Sequence, residues 1–77
     1  MDQYMLSGIY RHYTGFHVQV LFLAWEKEDE EYRVIYVPLE EHEGPRTRSR
    51  KLSIFTGSVT VNGATLPRFT YIGPKMP

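Results

Sequence analysis

The stretch Phe16–Trp25, F-H-V-Q-V-L-F-L-A-W, decides the fold. It is too short to cross a membrane as a helix, and it is rich in the aromatic and β-branched residues that favour strands. Side chains of an extended chain alternate between two faces. Phe16, Val18, Val20, Phe22 and Ala24 then share one face, and His17, Gln19, Leu21, Leu23 and Trp25 the other. The strand starts half-polar and ends apolar on both sides, which is the pattern of a central strand in a small curved sheet.

Shorter strands flank it. Gly8–Tyr13 reads as a first strand, with Thr14-Gly15 as its turn. Lys27–Glu31 reads as an acidic hairpin tip, and Tyr32–Val37 as a third strand antiparallel to the second, ended by Pro38. Glu40–Pro45 is a loop. The run R-T-R-S-R-K, residues 46–51, alternates in period two and, if extended, points Arg46, Arg48 and Arg50 one way. Leu52, Ile54 and Phe55 return to the core as a single helical turn. Asn62-Gly63 between Ser58–Val61 and Ala64–Leu66 marks a type I′ hairpin. Pro67 interrupts the return strand, Phe69–Ile72 forms a last one, and Gly73–Pro77 is a tail. The expectation is one all-β domain over residues 1–77 with an ordered core of about 8–72. It is a small, partly open SH3-like barrel of five or six short antiparallel strands with one helical turn. An OB-like barrel, or a sheet completed by a partner chain, is the alternative.

Composition narrows the chemistry. A chain of 77 residues buries only about 60% of its unfolded surface, so it needs a dense core or a partner. Six Tyr, four Phe and one Trp supply the first. Without Cys there is no disulfide, thiolate metal site or Cys nucleophile, which suits the cytoplasm. The net charge is zero, but the signs are segregated. Acids crowd residues 26–43, whereas residues 44–77 carry Arg46, Arg48, Arg50, Lys51, Arg68 and Lys75 with no acid. Such blocks attract within a monomer or pair head to tail in a homo-oligomer. The opening M-D-Q-Y-M-L-S-G has neither the basic start nor the apolar core of a signal peptide, and no membrane segment is expected.

Three patches together resemble a known family. They are G-I-Y-R-H-Y-T-G (8–15), V-I-Y-V-P-L (34–39), and R-x-x-S-I-F (50–55) followed by G-A-T-L-P-R-F-T-Y-I (63–72). Their order is that of a small bacterial and phage family catalogued as domain of unknown function 1653. The resemblance spans roughly residues 8–72 and implies an SH3-like outline with no established enzyme activity. Where the family carries Trp-x-Arg-Pro, this chain has Arg48-Ser49-Arg50-Lys51, so only Arg50 keeps the pattern.

Three groups of residues are candidates for binding. In Tyr10-Arg11-His12-Tyr13, Arg11 offers a planar fork for phosphate or carboxylate, a tyrosine ring offers a stacking surface, and His12 offers a hydrogen bond. The competing reading is a strand with its tyrosines in the core. In Arg46, Arg48, Arg50 and Lys51, cations interleaved with hydroxyls can cradle a phosphate, or can simply form a solvated loop balancing the acids. Arg68, held between Pro67 and Phe69, either joins the ligand or pairs Glu40 or Glu41.

Metal binding lacks support, because His12, His17 and His42 do not form a ligand spacing with carboxylates. Ser7, Ser49, Ser53 and Ser58 lack a nucleophile motif, there is no Gly-rich phosphate loop, and nothing positions His42 with Glu43. The expected function is therefore non-enzymatic and cofactor-free. A phosphate-bearing small molecule of the nucleotide class would be bound by Tyr10, Arg11, His12, Arg48, Arg50 and Arg68. A phage sponge that sequesters a nucleotide immune signal is one form of this. The alternative is an SH3-like adaptor for a peptide or nucleic acid.

Overall fold

The computed structural model describes residues 7–40, 44 and 46–76. Seven strands and one helical turn follow one another: β1 (Gly8–His12), β2 (His17–Glu26), β3 (Glu31–Pro38), β4 (Arg48–Lys51), α1 (Leu52–Phe55), β5 (Ser58–Val61), β6 (Ala64–Pro67) and β7 (Phe69–Gly73). They make a five-stranded antiparallel sheet in the order β4-β3-β2-β1-β7 and a separate β5–β6 ribbon, and they do not close into a barrel. The all-β reading and the helical turn hold, and β2 is the middle strand of the large sheet. The expected loop 40–45 lies largely outside the described residues.

Among the described residues seven strands form rather than five or six because the basic run joins the sheet. The basic run pairs with β3, Arg48 opposite Tyr36 and Arg50 opposite Val34. Pro67 stays in β6 because it sits at the end of the ladder, opposite Ser58, where a missing N–H is tolerated.

The face assignment of β2 holds only for its first half. Val18 and Val20 are buried at 0% and 3% exposure, as alternation requires. The register then shifts between Val20 and Phe22, so Leu23, opposite Val34, packs on the core instead of Phe22. Phe22 is left 59% exposed. One inserted residue in a ladder exchanges the faces of everything beyond it. Ile54 is a second correction. In a helical turn positions three apart share a side, so Leu52 and Phe55 face inward while Ile54 is exposed.

The core lies on one face of the large sheet. Tyr10, Val18, Val20, Val34 and Tyr36 line it, Phe55 caps it from α1, and Phe69 joins from β7. Phe55 and Phe69 stack at 3.9 Å between centroids with planes 2° apart, while Tyr10 meets Phe55 edge-on at 5.4 Å. Burying rings of this size contributes about 1.5–3 kcal/mol each, which is how so short a chain assembles a core. The β5–β6 ribbon is exposed along nearly all its length. Its base is closed by the Arg68 N–H on Gly57 O and tied to the end of β1 by the Tyr13 N–H on Arg68 O, each at 2.9 Å.

Candidate functional site

Alternation along β1 splits the Tyr-Arg-His-Tyr segment. Tyr10 and His12 turn inward, and Arg11 and Tyr13 are exposed. Tyr10 is a core residue, 7% exposed, with its ring against Phe55 and Tyr71. The exposed ring of this segment is Tyr13, at 38%.

His12 ends β1 in an aromatic enclosure. Phe16 stacks on it at 4.4 Å, Tyr13 tilts over it at 4.5 Å, and Phe69 meets it edge-on at 4.9 Å. The turn that brings Phe16 back is closed by the His12 N–H on Phe16 O and the Gly15 N–H on His12 O, both 2.8 Å. The Thr14 N–H donates to His12 Nδ1 at 3.3 Å, and Thr14 Oγ1 lies 2.7 Å from the same atom. A backbone N–H can only donate, so Nδ1 is the acceptor and the neutral ring carries its proton on Nε2.

Two guanidinium groups belong to the same neighbourhood. Because β4 pairs with β3 through Tyr36 and Val34, Arg48 and Arg50 fall on the core face and are half-buried, whereas Ser49 and Lys51 are exposed. Arg68 stands at the bend between β6 and β7. Its N–H holds Gly57 O and its carbonyl accepts the Tyr13 N–H, each at 2.9 Å. The His12 pKa is lowered first by burial, then by the Arg50 guanidinium and then by that of Arg68. Both cations therefore lie near enough to the imidazole to disfavour its charged form.

The Nε atoms of Arg50 and Arg68 are buried with no hydrogen-bond partner. Among the described residues neither arginine has an ion-pair partner. Unsatisfied buried N–H groups are costly, of order 1–3 kcal/mol for each group.

The other sequence candidates are distributed differently. Arg48 shares the face of Arg50 and already has a partner. Arg46 spends its Nη2 on Pro38 O at 2.8 Å, and Arg33 Nε on Ser49 Oγ at 3.1 Å. Glu40 does not pair Arg68. It accepts the His17 N–H at 3.0 Å and approaches His17 Nδ1 at 3.4 Å, contacts that hold its carboxyl below the usual range, the backbone N–H foremost. Glu41 and His42 lie outside the described residues. Of the six expected ligand residues, the fold thus gathers His12, Arg50 and Arg68. It sinks Tyr10 into the core and turns Arg11 to the opposite face.

Arg11 contributes instead to a recess of about 310 Å³ bounded by Arg11, His12, Tyr13, Leu66, Pro67 and Thr70. Sequence reading missed Thr14 and Phe16 as neighbours of His12. The signal was local, a His two residues before a Thr at the start of a Gly turn.

Among the described residues no group of three or more His, Cys, Asp or Glu could hold a metal ion, and no helix is long and apolar enough to cross a membrane.

Comparison with known proteins yields a family and no activity. The model of a protein of unknown function, DUF1653, matches residues 8–71. A crystal structure of a DUF1653 protein from Bordetella bronchiseptica superposes with a TM-score of 0.86 at 36% sequence identity, covering 95% of this chain and 94% of that one. No curated protein matches. The matched span and the shared fold together place this chain in the DUF1653 family.

Proposed function

We propose that this protein is a non-enzymatic binding protein for a phosphate-bearing small molecule, held at Arg50, Arg68 and His12. The observation that carries this reading is the pair of buried, unpartnered Nε atoms on arginines that lack a carboxylate among the described residues. A phosphate group presents several acceptor oxygens and negative charge at once, which is what two guanidinium forks and a neutral Nε2–H donor satisfy. Arg48, on the same face, adds charge without needing to touch the ligand. A site of this kind grips its ligand and supplies no nucleophile. Its biological use is then to withhold the ligand, as a phage sponge for a nucleotide signal would.

A second reading, an SH3-like adaptor, is favoured by Trp25. It is 55% exposed and meets Tyr32 edge-on at 5.1 Å beside the acidic tip, a surface suited to a peptide.

Thermal unfolding separates the two. Inorganic phosphate or a nucleotide at about 100 times its Kd stabilises the fold by roughly 2.7 kcal/mol, and Arg50→Gln or Arg68→Gln abolishes the shift while leaving the unliganded protein folded. No shift with any phosphate compound, together with peptide binding that Trp25→Ala removes, overturns the phosphate reading in favour of the adaptor.

A further inference from the structure

We propose that the recess beside His12 takes a planar ring carried by the same ligand, so that the preferred ligand is a phosphate ester of a heteroaromatic ring system. This rests on Arg50, Arg68 and His12 being the phosphate site.

Continuity is the first ground. The recess wall residue Pro67 directly precedes Arg68. The Tyr13 N–H bonds Arg68 O at 2.9 Å, so the main chain of Arg68 is fastened beside the recess residue Tyr13. His12 lines the recess, and its pKa is lowered by burial first and then by the Arg50 and Arg68 charges. Although Arg11 and His12 project to opposite faces of β1, the strand stops there, and the Tyr13 ring leans back over the imidazole at 4.5 Å. Arg11 from one face and His12 from the core face thus both border the recess at the end of the strand.

Chemistry is the second ground. Tyr13 and Leu66 are each 38% exposed, and with Pro67 they offer flat and apolar surface to a ring. Arg11 is exposed, and no contact among the described residues occupies its guanidinium. It supplies donors, and Thr70 a hydroxyl, for the heteroatoms at a ring's edge. Stacking of this type tolerates many bases, because each has a π face.

Size is the third ground. About 310 Å³ lies at the lower end of the roughly 300–1,000 Å³ of small-molecule sites. It houses a ring and leaves the phosphate to the arginines.

Isothermal titration of the full chain with inorganic phosphate, a nucleoside and the matching nucleoside monophosphate tests this. The monophosphate is expected to bind roughly tenfold or more tighter than phosphate. Tyr13→Ala should erase that advantage and leave phosphate affinity unchanged, with an unaltered Tm showing that the fold survives. Arg50→Gln should weaken phosphate and monophosphate alike. If the monophosphate binds no better than phosphate, or Tyr13→Ala weakens both equally, the recess proposal fails and the arginine site stands. If neither phosphate nor monophosphate binds, the arginine site fails and the recess proposal falls with it.

Discussion

Thr14 donates its backbone N–H to His12 Nδ1 at 3.3 Å while its hydroxyl oxygen lies 2.7 Å from the same nitrogen. The arrangement favours the neutral imidazole with hydrogen on Nε2, and burial and two nearby arginines act in the same direction. NMR titration should therefore place His12 below the ordinary 6.5. Arg50→Gln should raise it part of the way back, with burial retaining the remainder, and saturating phosphate should raise it by offsetting the arginine charge. Below pH 6.5 the unfolded chain binds more protons at this residue than the folded one. Stability at this site therefore falls as the pH drops through that window. A His12 titration that neither change moves would mean that the arginines do not act on it.

The register shift in β2 makes Phe22 and Phe69 unequal. Phe69 is 8% exposed and stacks on Phe55, whereas Phe22 is 59% exposed. Phe69→Ala should cost about 3–5 kcal/mol, a large part of the stability of a small domain. Phe69→Leu should cost less and keep the fold measurable. Phe22→Ala should change urea unfolding by about 0.5 kcal/mol or less. Equal costs for Phe22→Ala and Phe69→Leu would contradict the shift.

Two glycines separate backbone conformation from space. At Gly63, φ is +81° and nothing lies within 4 Å of an added Cβ, so Gly63→Ala meets only the left-handed penalty of about 1–2 kcal/mol. Asn62 beside it has φ of 52°, completing the type I′ turn. At Gly8, φ is +133° and a Cβ would sit 2.6 Å from Gly73 O, across the β1–β7 seam. Gly8→Ala should cost clearly more than Gly63→Ala in denaturant unfolding and should lower hydrogen-exchange protection in β7 first.

Glu31 anchors α1 to the start of β3. Its Oε2 accepts the Ser53 N–H at 2.9 Å. Its pKa is lowered by the Ser53 hydroxyl first, then by that N–H, with Lys51 and Arg33 assisting. A carboxylate depressed in the folded state stabilises above its ordinary value of 4.5 and ceases to as the pH falls through the lowered one. Glu31→Gln should flatten the acid limb of stability against pH. Ser53→Ala should return the Glu31 titration part of the way to normal, because the backbone N–H, Lys51 and Arg33 remain, and an unchanged titration would remove the Ser53 hydroxyl as a cause.

Much of the fold was written in local pattern. The apolar run of β2, the Asn-Gly turn and the cluster of Leu52, Ile54 and Phe55 around Ser53 act within a few residues, so the sequence by itself determined an all-β chain with a central strand, an I′ hairpin and one helical turn. Period two also divided Arg48 and Arg50 from Ser49 and Lys51 before any partner strand was known. Tertiary structure decided the rest. Whether Phe22 or Leu23 enters the core depends on one residue out of step with β3, which no alternation rule can see. Which cations act on His12 depends on strand order, since Arg50 lies on β4 and Arg68 directly precedes β7, the two edge strands of the sheet, and both charges lower the His12 pKa. Charge acts through space and not along the chain, so the arginine pair could be counted in the sequence but its unpartnered burial could be found only in three dimensions.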